Sequence, residues 1–334
     1  MNVNNFQHTH SAHCESGVIS NMLRYHGLNL SEAMVFGITS SLTFAYLPFV
    51  KMGGMPLIAY RSLPKSIIKN IQKNLGVKMK MEHFSSKEKG ENRLDELLDE
   101  GKIVGAQTSV YWLPYFPDEM RFHFNAHNLL IYGKDGADYK ISDPVFENSV
   151  ICDKNSLTKA RFAKGVMAPK GLLYYPTYVP KEVDLKPVIK KSIHKVAKTM
   201  LKTPVPIAGI KGIRYLAKNI AKLDKKEKRY AKLFLGHIVR MQEEIGTGGA
   251  GFRYLYASFL HEASVLYGND TLLQEVSDML MEIGDEWREF ALLVARAVKS
   301  KKEINYAMLS QKLMSIADEE VKMYTKLLQF SSKH

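Results

Sequence analysis

The stretch that decides the reading is His13-Cys14-Glu15-Ser16-Gly17-Val18-Ile19-Ser20-Asn21-Met22-Leu23-Arg24-Tyr25-His26-Gly27. Val18, Ile19, Met22 and Leu23 recur at helical spacing, and Gly27 supplies a stop just past the last turn. Cys14 therefore falls at or just before the first turn of a helix. The unpaired N–H groups and positive dipole end found there favour thiolate over thiol. Glu15 partly opposes that effect by its charge. A nucleophilic cysteine and a buried cysteine acting as a small hydrophobe are both compatible with this position alone.

The bulk numbers narrow the class. The 334 residues suffice for two domains and a sizeable core, and 46% hydrophobic with 24% charged residues suits a globular protein. Two cysteines, Cys14 and Cys152, do not make a disulfide framework and fit a reducing compartment. The first residues lack a basic and then apolar leader pattern, and no apolar run reaches membrane-spanning length. A soluble cytoplasmic protein is expected. Residues 181–240 hold 17 Lys+Arg against four acids, so this one segment accounts for the whole formal net charge of +13. A basic face this concentrated implies an anionic partner: nucleic acid, a membrane surface or an acidic protein.

Along the chain, Ser31 is placed to cap a second helix at 32–36, and small and apolar residues then run through Gly53-Gly54 as a buried or cleft-lining stretch. Ile67, Ile68, Ile71 and Leu75 mark an amphipathic helix over 65–75 ending at Gly76; a shorter helix is expected at 94–98. Residues 102–113 read as a strand entering a proline-interrupted loop. Residues 127–133 and 137–143 flank Lys134-Asp135-Gly136, which suits a three-residue hairpin loop with a glycine bulge. That register pairs Ile131 with Tyr139 and Leu129 with Ile141, and sets His127 opposite Asp143. A further strand is expected at 171–175. After Pro176 and Pro180 the periodicity is helical, with helices around 189–200, 212–244, 252–267, 271–297 and 303–329.

Cys14, His127 and Asp143 have the types and order of a nucleophile, a base and its orienter, with the cysteine on the first helix and the partners on later strands. An imidazole in that place takes the thiol proton, and the carboxylate fixes its tautomer. A backbone N–H at the helix start and one polar side chain would hold the oxyanion; Gln7 is the side-chain candidate, although His8 occupies the more usual spacing from the cysteine. The rival reading is a metal site made from His8, His10, His13 and Cys14, but no CxxC or HExxH pattern accompanies them, so no metal ligands and no cofactor are assigned. His261-Glu262 fails the zincin spacing. Gly246-Thr247-Gly248-Gly249-Ala250-Gly251 lacks the Gly-Lys-Ser/Thr ending of a phosphate loop and reads as an interhelical turn, while His123 and Cys152 read as a loop residue and core filler.

HCESGVISNMLRYHGLNLSEAMVFG, the HNLLIYG…ISDP hairpin and GTGGAGFRYLYASFLHEA together resemble the butirosin biosynthesis protein H family, a likeness that covers nearly the whole chain. The resemblance implies an α+β architecture: a papain-like, cysteine-peptidase-like N-terminal domain (1–178) joined to an all-helical C-terminal domain (179–334). It implies a cysteine-dependent acyltransferase that moves an acyl group from a thioester, borne by an acyl carrier protein, to a small-molecule amine. Cys14 would be the acyl-accepting nucleophile, His127 the base and Asp143 the orienting carboxylate. The family's aminoglycoside acceptor does not carry over, and the very basic 181–240 segment is not a family hallmark. Acyl carrier proteins are acidic, so Lys190, Lys191, Lys195, Lys198, Lys225 and Lys226 are the expected partner-binding residues. Residues 187–203 are cationic and amphipathic, which leaves a peripheral membrane contact open; nucleic acid is not expected, because no stacking aromatics interleave with the lysines. A thioester or amide hydrolase on the same three residues, and a non-catalytic module holding an acidic partner, are the alternatives.

Overall fold

The computed structural model describes residues 5–333. Its elements are α1 (Cys14–Tyr25), α2 (Glu32–Ile38), β1 (Leu42–Met52), β2 (Met55–Arg61), α3 (Ser66–Leu75), β3 (Lys78–Glu82), α4 (Lys87–Asp99) and β4 (Val104–Thr108). There follow β5 (His127–Asp135), β6 (Asp138–Ser142), β7 (Val150–Cys152), α5 (Lys154–Arg161) and β8 (Leu173–Tyr178). The remainder is helical: α6 (Leu185–Lys202), α7 (Gly209–Ile220), α8 (Lys228–Val239), α9 (Arg253–Leu266), α10 (Thr271–Lys299) and α11 (Tyr306–Lys333). The chain divides into two compact units. One comprises the chain up to Val35 with Pro64–Val183, and the other Phe36–Leu63 with the chain from Asp184 onward.

The first unit is built on an antiparallel sheet in the order β3-β8-β4-β5-β6-β7. Every residue of α1 from Cys14 to Leu23 is buried, which makes it a central helix. Gly17 lets it sit close: a Cβ there would stand 2.6 Å from the side chains of both Ser11 and Pro144. The neighbouring α3 begins after Lys65, which has a left-handed φ of 68° and offers no side-chain cap. Its cap comes instead from Glu15, whose carboxylate accepts from the N–H groups of Lys65 (3.1 Å), Ile67 (3.0 Å) and Ile68 (3.4 Å). An anion at a helix N-terminus satisfies orphan donors and the dipole together. Gly76, at φ 71°, ends α3 as its spacing predicts. Helix α4 runs seven residues further toward the N-terminus than the apolar spacing shows. Its polar first turns are held by the Ser86 cap and by Gly90, which lies against Phe162 and Phe84.

The β5–β6 hairpin departs from the expected register. Asp135 pairs with Asp138 across a two-residue Gly136-Ala137 turn, and an irregularity at Tyr132 then brings Ile131 opposite Ile141 and Leu130 opposite Ser142. Relative to the expected pairing, the strand has slipped by two residues at the site end. An even slip keeps every side chain on its own face, so His127 and Asp143 stay on one side as diagonal neighbours.

In the second unit the structure departs from a contiguous division near 178. The β1–β2 hairpin belongs with the helices, so that unit is not all-helical. Phe44, Tyr46, Ile58 and Tyr60 are buried there, with Phe44 and Tyr60 against Trp287 and Tyr46 against Phe234. Tyr46 N–H also donates to Ile207 O at 2.8 Å. The helix expected over 212–244 is interrupted: α7 stops at Ile220, a 3-10 turn covers Leu223–Lys225, and α8 runs into a π turn at Arg240–Glu244. Leu223 is the one buried residue between Ala221 and Lys228, too little apolar surface to hold a helix through that run. Gly246–Gly251 is the interhelical turn expected. Gly251, at φ 56°, lies on the Tyr60 ring, where a Cβ would come within 2.2 Å, and its carbonyl accepts from Arg253. Arg253 is itself buried and paired with Glu320.

Candidate active site

Cys14 is the first residue of α1 and 7% exposed. As a first-turn residue its N–H has no acceptor inside the helix. The loop before it is pinned by Glu32, whose carboxylate accepts from Ala12 N–H (2.8 Å), His13 N–H (2.8 Å) and Ser16 Oγ (2.9 Å). Burial raises the Glu32 pKa, and these three hydrogen bonds work against that rise. Glu15, expected to oppose a thiolate, has its carboxylate on the start of α3.

His127 opens β5 and is buried. Its Nε2 lies 2.7 Å from Asp143 Oδ2, the Cys14 thiol is close enough to act on the charge of the ring, and the Phe116 ring stands edge-on at 5.4 Å. With Nε2 on the carboxylate, Nδ1 is the ring nitrogen left for sulfur. Asp143 is fully buried just past β6 and also accepts from Tyr115 Oη (2.9 Å) and Val145 N–H (3.3 Å). Burial and the Asp143 charge hold the Tyr115 phenol far above its ordinary pKa, so it remains a donor. Burial opposes a charged His127, but Asp143 and Cys14 outweigh it and raise the imidazole pKa to about 10. The structure thus brings Cys14, His127 and Asp143 into one contiguous buried chain of polar groups, ready for proton exchange between sulfur and imidazole.

Because the folded pKa of His127 is raised, the pair's stabilisation is complete below the ordinary histidine value of 6.5 and is lost as pH rises through about 10. Thermal melts of wild type and Asp143→Asn between pH 6 and 11 should show a wild-type advantage that is flat at the acid end and shrinks toward pH 10. An advantage unchanged across that window would contradict this assignment.

The remaining sequence-derived residues are dispersed. Gln7 is exposed, and among the described residues nothing bonds it toward Cys14. His8 is bonded to Ser142 Oγ (2.7 Å) and Phe146 O (2.9 Å), His13 caps α1 through Ser16, and His10 is exposed. Among the described residues no three His, Cys, Asp or Glu side chains gather as metal ligands would. His123 stacks on Tyr111 at 4.1 Å, and burial pushes the Cys152 thiol up to about 12. Lys191, Lys195 and Lys198 are exposed on α6 with Lys190 half-buried, and Lys225 and Lys226 are exposed after α7. Residues that sequence reading missed are Tyr115, Phe116 and Glu32, and Tyr174, whose hydroxyl donates to Asn128 Oδ1 at 3.0 Å and is pushed by burial well above its ordinary pKa. They come from loops, a helix and a strand with no shared motif, so only the fold reveals their common place.

Residues 13–144 match the sequence profile of butirosin biosynthesis protein H, N-terminal, and residues 155–327 match a domain of unknown function, DUF4872. Among solved structures, one described as a C39-like peptidase from Bacillus anthracis superposes with a TM-score of 0.38 at 16% identity, covering 54% of this chain and 98% of its own. No curated protein matches the sequence. The helix-borne cysteine and the strand-borne imidazole both lie within the N-terminal match and have the residue types of a cysteine enzyme. The chain belongs to the DUF4872 family and carries a butirosin biosynthesis protein H-like N-terminal domain.

Proposed function

We propose that this protein is a cysteine-dependent acyltransferase, moving an acyl group from a carrier-borne thioester to a small-molecule amine through an acyl-enzyme at Cys14. The observation that carries the reading is the buried His127–Asp143 pair against a thiol at a helix start. The Cys14 thiolate attacks the thioester carbonyl, and the tetrahedral oxygen is held by the N-terminal N–H groups of α1. The intermediate collapses as His127 gives its proton to the departing thiol. The amine then attacks the acyl-enzyme, neutral His127 takes up its proton, and the Cys14 thiolate leaves. Burial of all three groups favours an amine over water as acceptor, because an acyl-enzyme shielded from solvent survives until a bound nucleophile arrives.

The donor's carrier is assigned from charge. Lys191, Lys195, Lys198 and Lys202 fall on one stripe of α6 and all are exposed, which supports steering of an acidic protein. The apolar side of α6, with Ile189, Ile193, Val196 and Met200, is buried and offers nothing for insertion into a bilayer. Among the described residues no helix is long and apolar enough to cross a membrane.

The test compares one acyl group on an acidic carrier protein and on a small soluble thiol. Lys191→Glu/Lys195→Glu/Lys198→Glu should lower kcat/KM for the carrier-borne donor by about tenfold or more and leave the small thioester within about twofold. Added salt should weaken only the wild-type preference. Equal salt response for both donors would remove the carrier assignment, and release of free acid with no amide product would reassign the enzyme as a hydrolase.

A further inference from the structure

Beside the elements that hold Cys14 and His127, the first unit has an open cleft of about 640 Å³ that none of the three residues lines. Its lining includes His83, Ser85, Lys164 and Lys170, with Phe84 and Phe162 as apolar walls and no carboxylate. Burial lowers the His83 pKa, and the positive charges of Lys65 and Lys170 lower it further. Two lysines and a histidine therefore line one apolar-walled hollow.

The cleft is built rather than incidental. Phe84 N–H donates to Lys170 O at 3.0 Å and joins two of its walls. Gly171, at φ 64°, lies on the Phe162 ring, where a Cβ would come within 2.6 Å. Among the described residues eight non-glycine residues have a left-handed φ, and one of them, Lys170 at φ 53°, lines this cleft. Strained backbone of this kind persists where the surroundings enforce it, as they do at ligand clamps. Hydrogen bonds also tie this region to residues that are near Cys14 and His127 in the chain. Lys65 N–H donates to Glu15, the residue after Cys14. Asn125, two residues before His127, donates to the carbonyls of Lys164 (3.2 Å) and Val166 (2.9 Å).

We infer that this cleft is the binding site for a phosphate ester on the arm of the acyl donor, with Lys164, Lys170 and His83 around the phosphate and Phe84 and Phe162 against the arm. Two lysines in a lining that holds no carboxylate suit a dianion better than a single carboxylate. Identifying the ligand as the donor rests on the acyltransferase reading; the anion site itself does not.

The test separates the two. Calorimetric titration of Cys14→Ala with 4′-phosphopantetheine and with pantetheine needs no turnover. The phosphorylated compound should bind at least about tenfold more tightly, and Lys164→Ala/Lys170→Ala should erase that preference. Equal binding of both compounds, or a preference intact in the double variant, overturns the site. In parallel, acylation of Cys14 is followed with S-acyl derivatives of both compounds. A phosphate preference in that rate, lost in the same double variant, supports the donor identification. Acylation from both at one rate overturns it while the acyltransferase reading stands. Acylation from neither, with phosphate-dependent binding retained, overturns the acyltransferase reading and leaves an anion site.

Discussion

Replacing His127 with alanine is expected to slow acylation of Cys14 by about 10²–10⁴-fold at neutral pH, the usual contribution of a positioned acid–base group. In the proposed mechanism the imidazole takes the proton from sulfur, and the structure holds its ring against Asp143 at 2.7 Å. Its pKa of about 10 means that the paired, charged form persists through neutral pH. Without the ring, Cys14 keeps the helix start but loses the proposed acceptor of its proton. His127 lies in a buried polar chain, so its removal also affects folding. Circular dichroism at the assay temperature separates the two effects, and His127→Gln offers a polar replacement that cannot titrate. A folded His127→Ala protein that acylates at near the wild-type rate would exclude His127 as the base.

The second large effect is on stability and lies in the other unit. Glu320 Oε1 accepts from Arg253 Nε (2.9 Å) and from Trp287 Nε1 (2.7 Å), and Arg253 and Glu320 are fully buried. Arg253 also faces the rings of Tyr60 and Trp287. Glu320→Ala leaves a buried guanidinium without its counter-charge and is expected to cost about 3–5 kcal/mol, a fall in Tm on the order of 10 °C for a unit of this size. Changing both partners to apolar residues, Arg253→Met/Glu320→Leu, should recover most of the loss, because the cost comes mainly from the stranded charge. Thermal denaturation of the three proteins decides this. A loss below about 1 kcal/mol for Glu320→Ala would mean that water reaches the pair.

Local pattern made some of this legible in the sequence. The apolar spacing of α1, α3, α6, α9, α10 and α11 follows from each helix burying one face or more, and Gly76 ends α3 for a purely local reason. The relation of His127 to Asp143 was readable despite a wrong register, because the turn and the bulge together made an even slip. What stayed hidden was non-local. The β1–β2 hairpin packs with helices that follow it by more than a hundred residues, and no composition change marks that exchange. Glu15 reads as a charge beside the nucleophile, whereas in the fold it caps a helix fifty residues away. Tyr115 and Phe116 sit in a proline-rich loop whose path around His127 is set by the sheet.

The most direct test of the central claim is intact-mass analysis of the protein mixed with an acyl thioester and quenched on the time scale of one turnover, with and without an amine. A mass increase of one acyl group, mapped to Cys14, is expected, and it should disappear when the amine is added and be absent from Cys14→Ala. A Cys14 that takes no acyl group from any thioester offered, and that reacts with iodoacetamide no faster than free cysteine, would contradict it.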